Sequence, residues 1–495
     1  MTRETHWLVR HSSKAFWALL LLHLVCWTLV PALTQPNAPL DVIEGFVWGH
    51  EWLLGTYKHP PLQAWLLESA TYLTGNSGFG YFGLSALCGA IALWSVFRTG
   101  RLFVSKEKAL LATLLAQVIF YLNLLSTEFN PNVLQLALAA LCTYAFAHGL
   151  MHGKIKYWIM LGIFFALGLY AKYSFALFGL SFLLPLIVIR EARSFLFSAR
   201  SYMALMTAFL LFMPHLMWLT ANQFLPFSYA MERVEMAQFW WQYIWFPAKF
   251  FASQLLAMLP ALLLGGILFF PFVREAENGK IKQRLLFLLA FAPLIVALAI
   301  SGFSGQKLRD MWGMPLLTFI PLWLVATFRL PENRLTIFAK SWGLCALLCL
   351  GAFAFNLLFA PSLGFKPLRG HFPGRDISAY LYQQWQGVAG DKSLNYVVGD
   401  AWMAGNVAFY APDTRTRPHV WIDAGNKTSP WIDRDSVRRH GAIVLWRVEN
   451  PLKAAPPPWA AEFRSLKMQK AVIFPWKTGT AANPVIVGWG LIKPE

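Results

Sequence analysis

Ionisable side chains are in short supply. Only 13% of the 495 residues are Asp, Glu, Lys or Arg, about half of the ~25% usual in soluble globular chains, which argues against a water-soluble enzyme. Acids are scarcer than bases, 24 against 42. Cysteine is nearly missing: the five residues Cys26, Cys88, Cys142, Cys345 and Cys349 all sit in apolar stretches, where they read as packed thiols and not as a disulfide framework. No HExxH or paired-Cys motif points to a bound metal, no Gly-rich P-loop points to nucleotide hydrolysis, and no low-complexity tract or internal repeat is visible. Mean hydropathy of +0.48 excludes a disordered chain.

What is abundant is apolar surface, with 57% hydrophobic residues, 41 Phe and 23 Trp. A spanning helix takes ~20 mostly apolar residues, and eleven runs qualify: 16–33, 79–97, 109–125, 133–150, 157–170, 174–189, 202–220, 250–273, 285–301, 312–328 and 342–360. Run 157–170 is short, and 62–74 is amphipathic enough to lie in the membrane interface. The expected fold class is an α-helical polytopic membrane protein with about 11 transmembrane helices, 11 to 13 at the margins of the count. The net charge of +18 then marks a membrane side and not a nucleic-acid partner. In alternate loops nineteen basic residues, from Arg3, Arg10 and Lys14 to Arg329, Arg334 and Lys340, lie on one side against six on the other: Lys58, Lys172, Arg233, Lys249, Lys307 and Arg309. That bias implies a cytoplasmic N-terminus, a periplasmic C-terminus and an uncleaved signal anchor as the first span.

After Pro361 charge rises and long apolar runs stop, with strand-like segments at 394–398, 442–448, 471–474 and 485–492. The expected organisation is a membrane domain over 1–360, with an outer juxtamembrane loop at 34–61, and a small outer α/β domain over 361–495.

The densest chemistry lies in the first outer loop. Asp41, Glu44, Trp48 and Glu51 are spaced three, four and three apart, so on a helix they share one face, away from Val42, Phe46 and Val47. Lys58 is the loop's single counter-charge; carboxylates without partners suit proton transfer or a cationic ligand, the competing reading being solvated acids on a surface loop. In Gly55-Thr56-Tyr57-Lys58-His59-Pro60-Pro61-Leu62 the double proline presets entry into a helix. Lys58 and His59 then sit at a helix N-terminus, a seat for phosphate or merely a helix-start device with a snorkelling Lys. Lys172, and Lys307 with Arg309 and Asp310 ahead of Trp312 and Gly313-Met314-Pro315, are cations that run against the positive-inside bias, so they serve the outer surface or snorkel at it. Glu128 lies in a loop without Lys or Arg and faces either the same cavity or solvent; His215, after Pro214, reads as a hydrogen-bonded core residue.

Asp41, Trp48, Gly55, Tyr57, Lys58, His59, Pro60, Pro61, Leu62 and Trp65 together resemble the bacterial members of the protein O-mannosyltransferase superfamily, which includes the aminoarabinose transferases of lipid A. The resemblance continues through Lys172-Tyr173 and from Arg309 to Pro315. Three positions depart from it. Glu44 replaces an acid directly after Asp41, His59 stands where many members have Lys, and Asn130-Pro131-Asn132 replaces Thr-Pro-Asp. The resemblance implies the C-type glycosyltransferase fold with an outer juxtamembrane helix, a polyprenyl-phosphate sugar donor, and no metal or other cofactor. On it, Asp41 deprotonates the acceptor, and Glu44 orients the acceptor or stands in as base. Lys172 and Arg309, with Lys58 or His59, bind the donor phosphate; Trp48, Tyr57, Glu128, Tyr173 and Lys307 line the cavity. The acceptor is a hydroxyl or phosphate of an envelope lipid, glycan or protein, met among membrane lipids at the outer face of the bacterial inner membrane. Two other classes compete: a lipid or anion transporter, which requires mid-span charges and paired helix breaks, and a non-catalytic assembly partner, for which Asp41 is dispensable.

Orientation is directly testable. Alkaline phosphatase fused after Glu495 is expected to be active; an inactive fusion beside an active cytoplasmic reporter at the same site reverses the assignment.

Overall fold

Each of the eleven apolar runs is largely helical in the computed structural model, which describes residues 7–275, 279–413, 416–450, 455–461, 463–478 and 483–495; Arg3, counted in the charge bias, lies outside these. Seven are long enough to cross a bilayer: Ser12–Thr34, Gly78–Gly100, Pro131–His152, Ala199–Ala221, Gln242–Phe269, Lys280–Ser304 and Glu332–Leu358. The other four are shorter or broken. Run 109–125 is the helix Lys106–Gln117 followed by two 3-10 turns, Phe120–Leu122 and Leu124–Ser126. Run 157–170 is the 17-residue helix Ile155–Ala171. Run 174–189 splits into Phe175–Leu180 and Leu183–Val188, because Pro185 cannot donate to the carbonyl four residues back, at Ser181 in the break. Run 312–328 is a 3-10 helix, Asp310–Leu316, bent by 50° from Ile320–Thr327, with Pro315 before the bend and Pro321 after it. The chain is a multi-span membrane protein.

Pro131–His152 runs through the middle of the bundle. Ala137, Ala139, Ala140, Cys142, Ala145 and Ala147 are all buried, small residues of the kind that let helices approach closely where lipid supplies no hydrophobic drive. All five cysteines are free.

The C-terminal sheet domain has six strands: β1 (Tyr396–Gly399), β2 (His419–Ile422), β3 (Ala442–Val448), β4 (Lys467–Met468), β5 (Val472–Phe474) and β6 (Val485–Ile492), in the order β2-β1-β3-β6-β4, with β5 also on β6. β1 runs parallel to β2 and β3, whereas β6 is antiparallel to β3. The apolar runs at 442–448 and 485–492 are strands as expected, because both are buried along most of their length. β2 was not anticipated; only four residues long, it lacks a periodic signature.

The loop after the first span joins the two parts. Its loop helix, Leu40–Gly49, packs Val42, Ile43 and Phe46 with the membrane core and Val47 and Trp48 with residues of the sheet domain such as Phe372, Leu381 and Met403. A second helix, Leu62–Thr74, starts at the double proline and lies against it. Gly45 and Gly49, one turn apart, set that approach: a Cβ on Gly45 would lie 2.5 Å from Leu67, and one on Gly49 2.5 Å from the Ala64 carbonyl oxygen. Backbone is the obstacle at Gly49, so Gly49→Ala is expected to cost about 1–3 kcal/mol, read as a lower thermal midpoint of the purified protein. An unchanged midpoint would show that the two helices are free to separate.

Candidate active site

Four segments of chain meet at the start of the loop helix. Pro39 is its N-cap residue and Asp41 the acid of its first turn, where the helix dipole favours a negative charge. The Asp41 amide donates to Glu128 Oε1 at 2.7 Å. The Asp41 carbonyl accepts from Gln63 Nε2 at 2.8 Å, and the same nitrogen reaches the Phe129 carbonyl at 3.1 Å. Gln63 is 2% exposed, so it acts as a buried clamp between the two loops. Asn130 caps Pro131–His152, its Oδ1 accepting from the amides of Asn132 and Val133 at 2.9 and 3.1 Å, and its side chain also hydrogen-bonds to the Asp41 carboxyl.

Two carboxyl groups are thereby enclosed together. Burial pushes the Asp41 carboxyl up, opposed by the charges of Lys58, Lys172 and Arg369 and by the Asn130 bond. Glu128 is pushed up to about 7, by burial first and then by the charge of Asp41. Both carboxyls are thus raised by burial, and the charge on one changes the titration of the other.

Cations surround the pair. Lys172 closes the helix Ile155–Ala171 in an extended conformation. Its Nζ donates to Asn132 Oδ1 at 2.8 Å and lies 5.1 Å from the Trp312 ring centre. Burial lowers its pKa to about 8; Asp41 opposes this, while Arg309 and Lys58 add to it. Lys58 pairs with Glu44 at 2.5 Å and lies 5.9 Å from the Trp48 ring, so Glu44 is not an unpartnered acid. His59 is held well below its usual pKa by burial and by Lys172 and Lys58; it is neutral and offers an anion a hydrogen bond, not a charge. Thr56 builds this turn, its hydroxyl oxygen accepting from the amides of Lys58 and His59 at 3.2 and 3.0 Å. Arg309 is exposed, and its guanidinium makes no hydrogen bond or ion pair among the described residues. It lines a cavity of about 370 Å³ with Arg233, Lys249, Lys307 and Trp312, in which Lys307 pairs with Glu235 at 2.6 Å.

The aromatic positions divide. Trp48 is buried, with Tyr57 edge-on at 6.0 Å and His59 at 6.2 Å. Tyr173 turns its hydroxyl to His215 Nε2 at 2.9 Å, and His215 Nδ1 donates to the Leu54 carbonyl at 2.6 Å, a brace from span to loop. Glu51 lies beyond the end of the loop helix at Gly49 and bonds to His419 on β2 at 2.6 Å, so it leaves the face it was expected to share with Asp41. Gln63 and Arg369 escaped the sequence reading. Gln63 had a faint signal, a polar residue just after a double proline. Arg369 had none. It sits in the turn Arg369–His371, fixed by His371 Nε2 donating to the Leu357 carbonyl at 2.7 Å and by the Asn37 amide donating to the Gly370 carbonyl at 2.9 Å.

The coupling of the pair is measurable by infrared titration of the carboxyl stretch. Asp41→Asn removes the anion that helps raise Glu128, so the Glu128 transition is expected to move down from about 7; a transition that stays in place would separate the two groups.

This arrangement, two neighbouring carboxyls among cations at the ends of membrane helices, lies in a fold with known counterparts. The structure matches the crystal structure of ArnT from Cupriavidus metallidurans bound to undecaprenyl phosphate with a TM-score of 0.63 at 12% identity, covering 97% of this chain and 98% of that one. It matches the apo state of the same protein with a TM-score of 0.62. Residues 58–218 match the family model described as dolichyl-phosphate-mannose-protein mannosyltransferase, a stretch that includes the double-proline motif, Glu128 and Lys172. The lipopolysaccharide core galacturonosyltransferase RgtB of Rhizobium johnstonii is 25% identical over 330 residues, 63% of this chain and 65% of that relative, just under two thirds of its length. RgtA of the same organism, also a lipopolysaccharide core galacturonosyltransferase, is 22% identical over 511 residues, 96% of this chain and 97% of the relative. The chain therefore has the fold of ArnT and, over residues 58–218, a likeness to the dolichyl-phosphate-mannose-protein mannosyltransferase family.

Proposed function

We propose that this enzyme transfers a sugar, with inversion, from a polyprenyl-phosphate donor to a hydroxyl group of an envelope glycolipid at the outer face of the inner membrane, its N-terminus cytoplasmic and its C-terminal domain periplasmic. The observation that carries the reading is the half-buried Asp41 and Glu128 pair with Lys172 close by and Arg309 near Lys172. Asp41 accepts the acceptor proton as the hydroxyl oxygen attacks the anomeric carbon; the bond to the phosphate oxygen breaks on the other side. Glu128 holds the Asp41 amide and so fixes the base. General-base assistance of this kind contributes ~10²–10⁴ in rate. Lys172 and Arg309 neutralise the charge that grows on the departing phosphate, and neutral His59 adds a hydrogen bond. Glu44, committed to Lys58, orients the loop.

The finer reading concerns the sugar. RgtA and RgtB are named for galacturonosyl transfer, and Arg369 adds a guanidinium near Asp41 and Glu128 with no hydrogen bond or ion pair among the described residues. A hexuronic acid carries a carboxylate that this guanidinium suits. The acceptor is then an inner-core or lipid A glycan of lipopolysaccharide.

Transfer from synthetic polyprenyl-phosphate donors by purified variants tests the whole. Asp41→Asn should lower turnover ~10²-fold or more with donor binding retained, and Glu44→Gln should cost less. Arg309→Lys should not restore full activity, because the bidentate geometry is lost. Arg369→Ala should raise KM for a hexuronosyl donor more than for a neutral hexosyl donor. Near-native turnover of Asp41→Asn with a dead Glu44→Gln would move the base by one helical turn.

A further inference from the structure

At the far end of the loop helix three metal-ligating side chains converge from segments remote in sequence. His50 follows the helix, its amide still bonded to the Phe46 carbonyl at 3.1 Å. Glu51 comes next. The chain then reverses at Trp52, which adopts the left-handed region at φ 47°, a conformation uncommon for a bulky residue and held only where surroundings demand it. Across the interface stands His419, at the start of β2 and 368 residues from Glu51. One potential ligand atom from each of His50, Glu51 and His419 lies within 4.8 Å of the others. The two rings are tilted by 42° with centres 5.1 Å apart, so they are not stacked. Behind His50 is Glu68, whose side chain is 1% exposed; its Oε1 is 3.9 Å from His50 Nδ1 and 2.5 Å from Arg417 Nη2, while its buried Oε2 has no partner.

We propose that His50, Glu51 and His419 bind a zinc ion that fastens the C-terminal sheet domain to the first outer loop. Two imidazoles and a carboxylate form a donor set suited to zinc. Glu68 stands where a carboxylate commonly orients a metal-bound histidine, directing His50 Nδ1 inward and leaving Nε2 for the ion. Ligands on a tetrahedral zinc lie ~3.4 Å apart, so the 2.6 Å bond between His419 Nδ1 and Glu51 opens by less than ~1 Å and its shared proton leaves to solvent. The His419 side chain is 40% exposed, giving the ion a path from water. Asp41 lies nine residues back along the helix, ~13 Å at 1.5 Å per residue. The metal therefore positions the loop and does not touch the reacting atoms.

The test reads zinc and not sugar transfer, so its failure and that of the proposed reaction are separable. The full chain, purified in detergent and stripped with chelator, is titrated calorimetrically with zinc sulfate beside His419→Ala and Glu51→Gln. The expected result is one equivalent bound, with release of a proton and a raised thermal midpoint in the wild type, and affinity at least ~100-fold weaker in both variants. Glu68→Gln should weaken binding ~10–100-fold. Because His419 is partly exposed, His419→Ala is expected to fold. Wild-type affinity no better than that of folded His419→Ala, or zinc that leaves the midpoint unmoved, would overturn the proposal and leave the cluster a hydrogen-bonded contact.

Discussion

Enclosing two carboxyl groups together is costly unless hydrogen bonds and nearby cations compensate, and the junction of the membrane bundle with the loop helix is arranged around that constraint at Asp41 and Glu128. Gln63 spans both loops, Asn130 caps one helix while bonding to Asp41, and Lys172 is held by Asn132 within reach of the same charge. Removing any one of these would leave a buried polar group without a partner, which is why the segments bind one another although no regular element joins them. The two environments differ: Lys58, Lys172 and Asn130 favour the charged form of Asp41, whereas the charge of Asp41 disfavours that of Glu128, an inequality of the kind acid–base chemistry uses.

The helices explain why the cations are where they are. Of the seven long spans, Pro131–His152 reaches the chemistry through Asn130 and Asn132, and the four short or broken runs end beside it: Lys106–Gln117 leads to the turns before Glu128, Ile155–Ala171 stops at Lys172, Phe175–Leu180 begins just after, and the bent pair opens at Asp310 next to Arg309. Irregular backbone at the edge of a membrane is tolerable only where protein or water satisfies its polar groups. Prolines at 185, 315 and 321 enforce the breaks.

Legibility in the sequence followed the range of the interaction. Apolar periodicity is local, so every expected run is largely helical, and the double proline marked the start of the second loop helix. Hydropathy alone did not separate a straight span from a bent one, since Trp312 to Phe328 is as apolar as its neighbours. The strands Ala442–Val448 and Val485–Ile492 announced themselves by burial over most of their length, while four-residue β2 did not. For the candidate site, Lys172 and Arg309 stood out as cations on the side that carries few, and Asp41 by its spacing to Glu44 and Trp48 and by the resemblance. The pairing of Glu44 with Lys58, the departure of Glu51 to His419, and the arrival of Gln63 and Arg369 depend on contacts between distant segments, for which the sequence has no periodic sign.

The central claim is that the leaving phosphate sits between Lys172 and Arg309 with the transferred sugar toward Asp41. Cryo-electron microscopy of the full chain with a non-hydrolysable polyprenyl-phosphonate sugar tests it most directly. The account predicts phosphonate density within hydrogen-bonding distance of Lys172 Nζ and the Arg309 guanidinium, with the anomeric carbon facing the Asp41 carboxylate. A phosphonate bound elsewhere, with Asp41 remote from the sugar, would contradict it.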